Sequence, residues 1–170
     1  MNIMLSRILI NCGFITEYLA QKVKITHNEL KNEVKKNTLN VSKQLLFGKM
    51  TNIYILSDKQ LNIYRKQGIT IYKHNVNQLE HDYLLLKVYT SLSLKEQLSW
   101  YNETSLKAKF NKSTDTTDAI FIKNNKLIAV EVITPNYKHS KINNKKDFIR
   151  KYCDSSIILN TSNFKISRRW

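Results

Sequence analysis

Asp118-Ala-Ile-Phe-Ile-Lys-Asn-Asn-Lys-Leu-Ile-Ala-Val-Glu131 is the stretch from which the rest of the sequence is best read. Two apolar runs flank Asn124-Asn125, a pair suited to the tight turn of a β-hairpin. A two-residue turn there predicts Lys123 opposite Lys126, Ile120 opposite Ala129 and Asp118 opposite Glu131. Alternation puts Asp118, Ile120, Ile122, Leu127, Ala129 and Glu131 on one face, and Phe121, Ile128 and Val130 on the other. Both faces are apolar, so the hairpin is expected to be buried on both sides. Two carboxylates facing each other at the end of a buried sheet repel and are costly to desolvate. A shared proton, a metal ion or a nearby Lys or Arg has to offset them.

At 170 residues the chain has room for one medium domain or two small ones. It is 42% hydrophobic with three Gly and one Pro, which favours a packed globule over a disordered chain. No apolar run approaches the length of a membrane span. Residues 1–14 lack a small-residue cleavage site and run on into a helical pattern, so a signal peptide is not expected. Cys12 and Cys153 are far apart with no CxxC partner, and His27, His74, His81 and His139 have no metal-ligand spacing. Two separate thiols in a reducing cytoplasm are expected. With 28 Lys+Arg against 13 Asp+Glu the net charge is +15, which points to a polyanionic partner, most often nucleic acid. An AT-rich coding sequence accounts for part of the Lys content but not for the shortage of acids.

Residues 5–14 carry Leu5, Ile8, Leu9 and Cys12 at helical spacing. Thr16 can cap a second short helix running to Val23. Thr26-His-Asn-Glu29 has the form of a capping box, opening a third helix over about 27–38 that buries Leu30 and Val34. Its outer face would show Asn28, Lys31, Asn32, Lys35 and Lys36. A short hairpin follows, with strands at 44–47 and 52–56 and a Gly48-Lys49 turn. Ser57 then caps a helix to about Gln67, with Gly68 as its terminator. Three short helices and a hairpin resemble a winged helix-turn-helix over residues 1–68, with the third helix in the recognition position. A small helical bundle with solvated lysines is the plainer alternative.

Residues 69–77 read as a connection, and Asn77 as the cap of a strongly apolar helix over 78–92. Residues 97–103 suggest a strand, 110–117 a polar loop, and 118–131 the hairpin, with Pro135 ending its second strand. A basic helix over 140–152 and a last buried strand at 156–159 complete an αβββαβ order, followed by a basic tail at 161–170. The basic run 138–151 holds six Lys/Arg and one acid. As a helix beside Glu131 it would form either a phosphate-binding stripe or a merely solvated face.

The αβββαβ order, with Asp118 opening one strand and Glu131 closing the next, resembles the restriction-endonuclease-like PD-(D/E)xK fold. That resemblance implies Mg²⁺ held by Asp118 and Glu131, with Glu103 as a third acid, and a Lys two residues after the second acid. Here Thr117-Asp118 stands for Pro-Asp, and Ile133 stands where the Lys would be. The full order also resembles the replication-relaxation protein family of plasmids and mobile elements. It runs from a winged helix and a His-bearing apolar helix (Leu79-Glu-His81-Asp-Tyr) to Trp100-Tyr-Asn-Glu103, Asp118, Val130-Glu131-Val-Ile and Lys145-Lys146 to Tyr152. That family tends to show Pro-Asp-Gly and Glu-x-Asp where this chain has Thr117-Asp118-Ala119 and Glu131-Val132-Ile133.

The expectation is therefore an α+β protein: a winged helix (1–68) joined to a restriction-endonuclease-like domain (77–160). Its partner would be double-stranded DNA, in replication, copy control or transfer of a mobile element. Asn28, Lys31, Asn32, Lys35 and Lys36 would contact DNA from the third helix, and Lys49 from the hairpin. Lys138, Lys141, Lys145 and Arg150 would grip phosphates from the second domain. The nuclease-like domain is expected to be inactive and to need no cofactor. A Mg²⁺-dependent endonuclease using Glu103, Asp118 and Glu131 is the alternative. A replication or transfer protein and a second copy of the chain are further candidate partners. His81 reads as a satisfied core histidine, and Tyr137 and Trp170 as aromatics able to stack on bases.

Overall fold

A computed structural model describes residues 1–110 and 115–163 as a mixed α+β protein with two sheets. Helix α1 (Ile3–Cys12) starts where Asn2 accepts a hydrogen bond from the Met4 amide, and it buries Leu5, Ile8, Leu9 and Cys12. It stops at Gly13, whose φ is +79°; a Cβ there would lie 2.9 Å from the His74 backbone nitrogen. Strand β1 (Ile15–Thr16) leads directly into α2 (Glu17–Lys22), which Thr16 caps. Thr26 and Glu29 form the predicted capping box of α3 (His27–Lys35).

Helix α3 is shorter than predicted. Asn37 turns into the left-handed region at φ +55°, and the Thr38 hydroxyl bonds the Glu33 carbonyl and carboxylate. Its inward residues are Leu30 and Glu33, with Val34 only half-buried. Strands β2 (Leu39–Leu46) and β3 (Lys49–Leu56) are longer than predicted, and the turn is Phe47-Gly48 rather than Gly48-Lys49. The polar stretch Asn40–Lys43 hides the first strand from a hydrophobicity reading. The three strands pair antiparallel in the order β1-β3-β2. Ser57 caps α4 (Asp58–Lys66), which ends before Gly68 at φ +72°.

Residues 69–77 are more than a connection, because the Tyr72 amide donates to the Ile10 carbonyl of α1 at 2.8 Å. Asn75, not Asn77, caps a 3-10 turn (Val76–Gln78) that feeds α5 (Leu79–Ser91). The strand expected over 97–103 is cut down to two residues between the ends of two helices. A second capping box, Ser93 with Glu96, opens α6 (Leu94–Leu98), leaving β4 only Tyr101–Asn102. Asn102 then caps α7 (Glu103–Lys109), so Glu103 begins a helix rather than ending a strand. Helix α7 ends at Lys109, just before the predicted loop at 110–117, whose residues 111–114 lie outside the described residues. So does the predicted tail beyond 163, Trp170 included.

The 118–131 hairpin forms in the predicted register. Strand β5 (Ala119–Lys123) pairs with β6 (Lys126–Ile133), with Ile120 opposite Ala129 and Lys123 opposite Lys126. Asn124 and Asn125 both have positive φ, as the two-residue turn requires. Helix α8 (His139–Tyr152) crosses over to β7 (Ser155–Asn160), which lies parallel to β6. The second sheet is ordered β4-β5-β6-β7. Two expectations of burial fail at its margins: Ile122 at the turn end is 46% exposed, and Ile158 on edge strand β7 is 51% exposed.

One apolar core joins both sheets. It runs from Leu5, Ile8 and Leu9 through Leu84, Leu86 and Tyr89 of α5 to Phe121, Val130 and Val132. A smaller cluster on the opposite face of the second sheet joins Leu106, Ile120 and Ala129, with Ile149 of α8 packed against it. The second sheet is thus covered by α5 on one face and by α7 and α8 on the other. Among the described residues, no helix is long and apolar enough to cross a membrane.

Candidate functional site

Asp118 immediately precedes β5 and Glu131 sits near the end of β6, so the hairpin register sets them side by side. Both are buried. Each accepts a backbone hydrogen bond across the hairpin: the Asp118 amide donates to Glu131 Oε2 at 3.2 Å, and the Val132 amide to Asp118 Oδ2 at 2.7 Å. The Thr117 hydroxyl lies 2.7 Å from the Val130 carbonyl oxygen and 3.2 Å from Glu131 Oε2.

Cations reach this pair from both faces of the sheet. From α8, Lys145 Nζ lies 2.8 Å from Asp118 Oδ1 and 2.7 Å from Glu131 Oε1. From α5, His81 Nε2 lies 3.1 Å from Asp118 Oδ2, and its Nδ1 lies 2.9 Å from Asp82 Oδ1. Asp82 in turn accepts the Tyr72 hydroxyl at 2.9 Å and the Asn75 amide at 2.7 Å. An unbroken polar chain therefore runs from the residue 69–77 segment through α5 and the hairpin to α8. Lys145 supplies the offset that the facing carboxylates demanded. Ile133 leaves the usual Lys position apolar, and the ammonium arrives from the next helix instead.

The electrostatics follow from that geometry. Burial opposes a charged imidazole at His81, but the hydrogen bonds and charges of Asp118 and Asp82 outweigh it and push its pKa up to about 9. Burial also opposes a charged Lys145, yet Asp118 and Glu131 hold it above its ordinary value. Asp118 is desolvated too, but His81 and Lys145 keep its carboxyl below the usual range. Glu131 is the weaker anion. Burial and the Asp118 charge raise it to about 7, against the pull of Lys145 and Thr117. Its Oε1 meets the ammonium by charge without an aligned hydrogen bond.

A divalent cation does not fit this arrangement. Its place between Asp118 Oδ1 and Glu131 Oε1 is taken by the Lys145 ammonium, and Asp118 Oδ2 already accepts two hydrogen bonds. Mg²⁺ binding calls for free carboxylate oxygens and room for several waters. Among the described residues, no group of three His, Cys, Asp or Glu side chains is arranged to hold a metal ion. Glu103, the third acid of the sequence reading, is paired with Lys107 on its own helix at 2.8 Å.

The predicted DNA contacts divide into two sets. Asn28, Lys31, Asn32, Lys35 and Lys36 all stand exposed on or just after α3, and Lys49 is exposed at the start of β3. Lys36 also reaches Glu33 at 3.3 Å. Lys138, Lys141 and Arg150 are exposed on or beside α8, with Lys141 over the Tyr137 ring at 4.8 Å. Lys145 is the exception: it faces inward to the carboxylates rather than outward to a phosphate. Helical spacing carried that signal, because Ile142, Lys145, Phe148, Ile149 and Tyr152 share one stripe of α8. Asp82 and Tyr72 were missed altogether; the only hint was a second charge beside His81 in an apolar helix. Compared with protein families, with curated proteins and with solved structures, the chain matches none.

Proposed function

We propose that the chain binds duplex DNA through a winged helix-turn-helix at residues 1–68. Behind it, residues 77–160 form a restriction-endonuclease-like domain whose acidic pair is a structural ion cluster. The observation that carries this reading is the setting of α3. Helix α3 follows two short helices, precedes a two-stranded hairpin, and turns Asn28, Lys31, Asn32 and Lys35 to solvent. The α1-β1-α2-α3-β2-β3 order, with β3 between β1 and β2, supports the winged-helix reading. The sheet order β4-β5-β6-β7 with α8 crossing over to a parallel β7 supports the nuclease-like reading. In a chain of net charge +15, lysines on such a helix are suited to phosphates, and its asparagines to base edges. Service to the replication, copy control or transfer of a mobile element rests on the family resemblance alone.

Fluorescence anisotropy with labelled duplex across a salt series tests the reading. Affinity should fall steeply with salt, and Lys31→Ala/Lys35→Ala should weaken binding roughly tenfold and flatten the salt slope by about two. Failure of the native chain to bind any duplex at low salt sinks it. A cutting function is the second reading, favoured by the return of a Lys to the acidic pair from α8. It requires Asp118 and Glu131 to give up Lys145. Plasmid nicking in Mg²⁺ or Mn²⁺, absent in EDTA and in Asp118→Ala, would establish it; intact plasmid alongside a salt-sensitive mobility shift keeps the binding reading.

A further inference from the structure

Folding leaves an apolar pair in solvent on the β2–β3 hairpin. Leu45 and Met50 face each other across the strands and are 64% and 59% exposed. Val41 lies four residues back on the same face and is 46% exposed. Lys43 and Lys49 are exposed beside them, and residues 40–52 contain no acid. The hairpin is braced from its other side. Leu46 is buried in the core, the Phe47 amide donates to Glu80 Oε1 at 2.9 Å, and the Phe47 ring meets Tyr83 edge-on at 5.9 Å. Phe47 also sits at φ +47°, a conformation unfavourable for a bulky residue, so the turn is held by its contacts with α5.

We propose that Leu45 and Met50 form a wedge that enters the minor groove of duplex DNA, partly unstacks one base step, and so bends the DNA. This rests on the DNA-binding reading above and adds what the hairpin does. Apolar side chains between bases leave water for an aromatic surface, and the groove's phosphates lie within reach of flanking lysines. A wedge needs a rigid mount, and the Glu80 and Tyr83 contacts supply it. Lysine interleaved with exposed Leu and Met fits DNA better than a protein partner, since the centres of protein interfaces are depleted in Lys.

The test uses the full chain and a short AT-rich duplex containing TA steps, with end dyes for energy transfer and 2-aminopurine scanned along it. Such steps unstack most readily. The native chain should bind, shorten the end-to-end distance, and raise 2-aminopurine fluorescence at one step. Leu45→Ala/Met50→Ala should still bind yet lose most of both signals. Both side chains are more than half exposed, so thermal melting should show the variant folded. Binding without bending, or equal bending by the variant, overturns the wedge and leaves DNA binding intact. Self-association of the native chain that the variant loses, seen by sedimentation without DNA, also overturns it, because the pair then seats a second copy. Absence of any duplex binding removes both proposals.

Discussion

Helices α3 and α8 look alike in sequence, each polar and lysine-bearing, yet they are stabilised in opposite ways. Helix α3 looks after itself: Thr26 and Glu29 close a capping box at its start, and Lys31 and Lys35 stay in water. Helix α8 has no side-chain cap and no acid in its first turn. It is secured by burying Phe148 and by sending Lys145 to two carboxylates of the hairpin. The difference teaches that basic charge on a helix has two separate meanings. Exposed lysines are available to a partner; a buried one has already found its partner inside the fold.

The largest expected effect breaks α8. Lys145→Met leaves Asp118 and Glu131 buried together without their shared cation, which should destabilise the protein by about 3–5 kcal/mol. Lys141→Met, one turn away and exposed, should stay within about 0.5 kcal/mol. Urea unfolding of both variants measures the contrast. The Lys145→Met deficit should shrink as pH falls through 7, where Glu131 takes up a proton.

Next comes pH, to which the cluster responds around and above neutrality, whereas the shifted groups of α3, Glu29 and Glu33, are carboxyls held below their ordinary range. His81 titrates at about 9 in the fold against an ordinary 6.5, and Glu131 at about 7 against 4.5. Both folded values are raised, so the native state binds protons more tightly. The His81 contribution is fully present below pH 6.5 and is lost as pH rises through 9. The Glu131 contribution runs out earlier, between pH 4.5 and 7. Stability should therefore fall between pH 6.5 and 9 by on the order of 3 kcal/mol. Melting curves of His81→Gln should be flatter over that window; an equally steep decline would show that His81 is not its source. Asp118 works the other way: its lowered pKa supplies stability that is lost as pH falls below the ordinary aspartate range.

The two smaller effects belong to α3. Lys31→Ala/Lys35→Ala should leave unfolding within about 0.5 kcal/mol of native while weakening duplex binding, the reverse of the Lys145 result. Thr26→Ala removes the cap and should lower stability by about 1 kcal/mol. Lys138→Ala, at the uncapped start of α8, should do nothing measurable to unfolding.

How much of this was legible in the sequence depended on the range of the interactions. The Asn124-Asn125 turn, the β5–β6 register and the Thr26 box are local, and residues within a few positions of each other set them. The facing of Asp118 and Glu131 followed from the same register. Ser93 and Glu96 are a local signal of the same kind: their capping box opens α6, which leaves room for only a two-residue strand before Glu103 starts α7. The compensation of the acidic pair was legible only in part. It was clear that a cation, a proton or a metal was needed, but the choice of Lys145 depends on how α8 docks, a contact made across 27 residues from Asp118. The Tyr72–Asp82 bond depends likewise on residues 69–77 docking onto α1, which no periodicity announces. Strand β2 was half hidden because its polar face is long, and β1 because two residues carry no pattern.

The Lys145 cluster has a further consequence, for how the protein can change over generations. Each of its charges is tolerable only because the others are present, so any single substitution at His81, Asp118, Glu131 or Lys145 meets an orphaned charge first. Drift at this site must go through paired changes, or through wholesale replacement by apolar residues of similar volume, which buried ion pairs often accept without loss. Homologues should then carry the whole set or none of it, whereas the lysines of α3 are free to come and go one at a time.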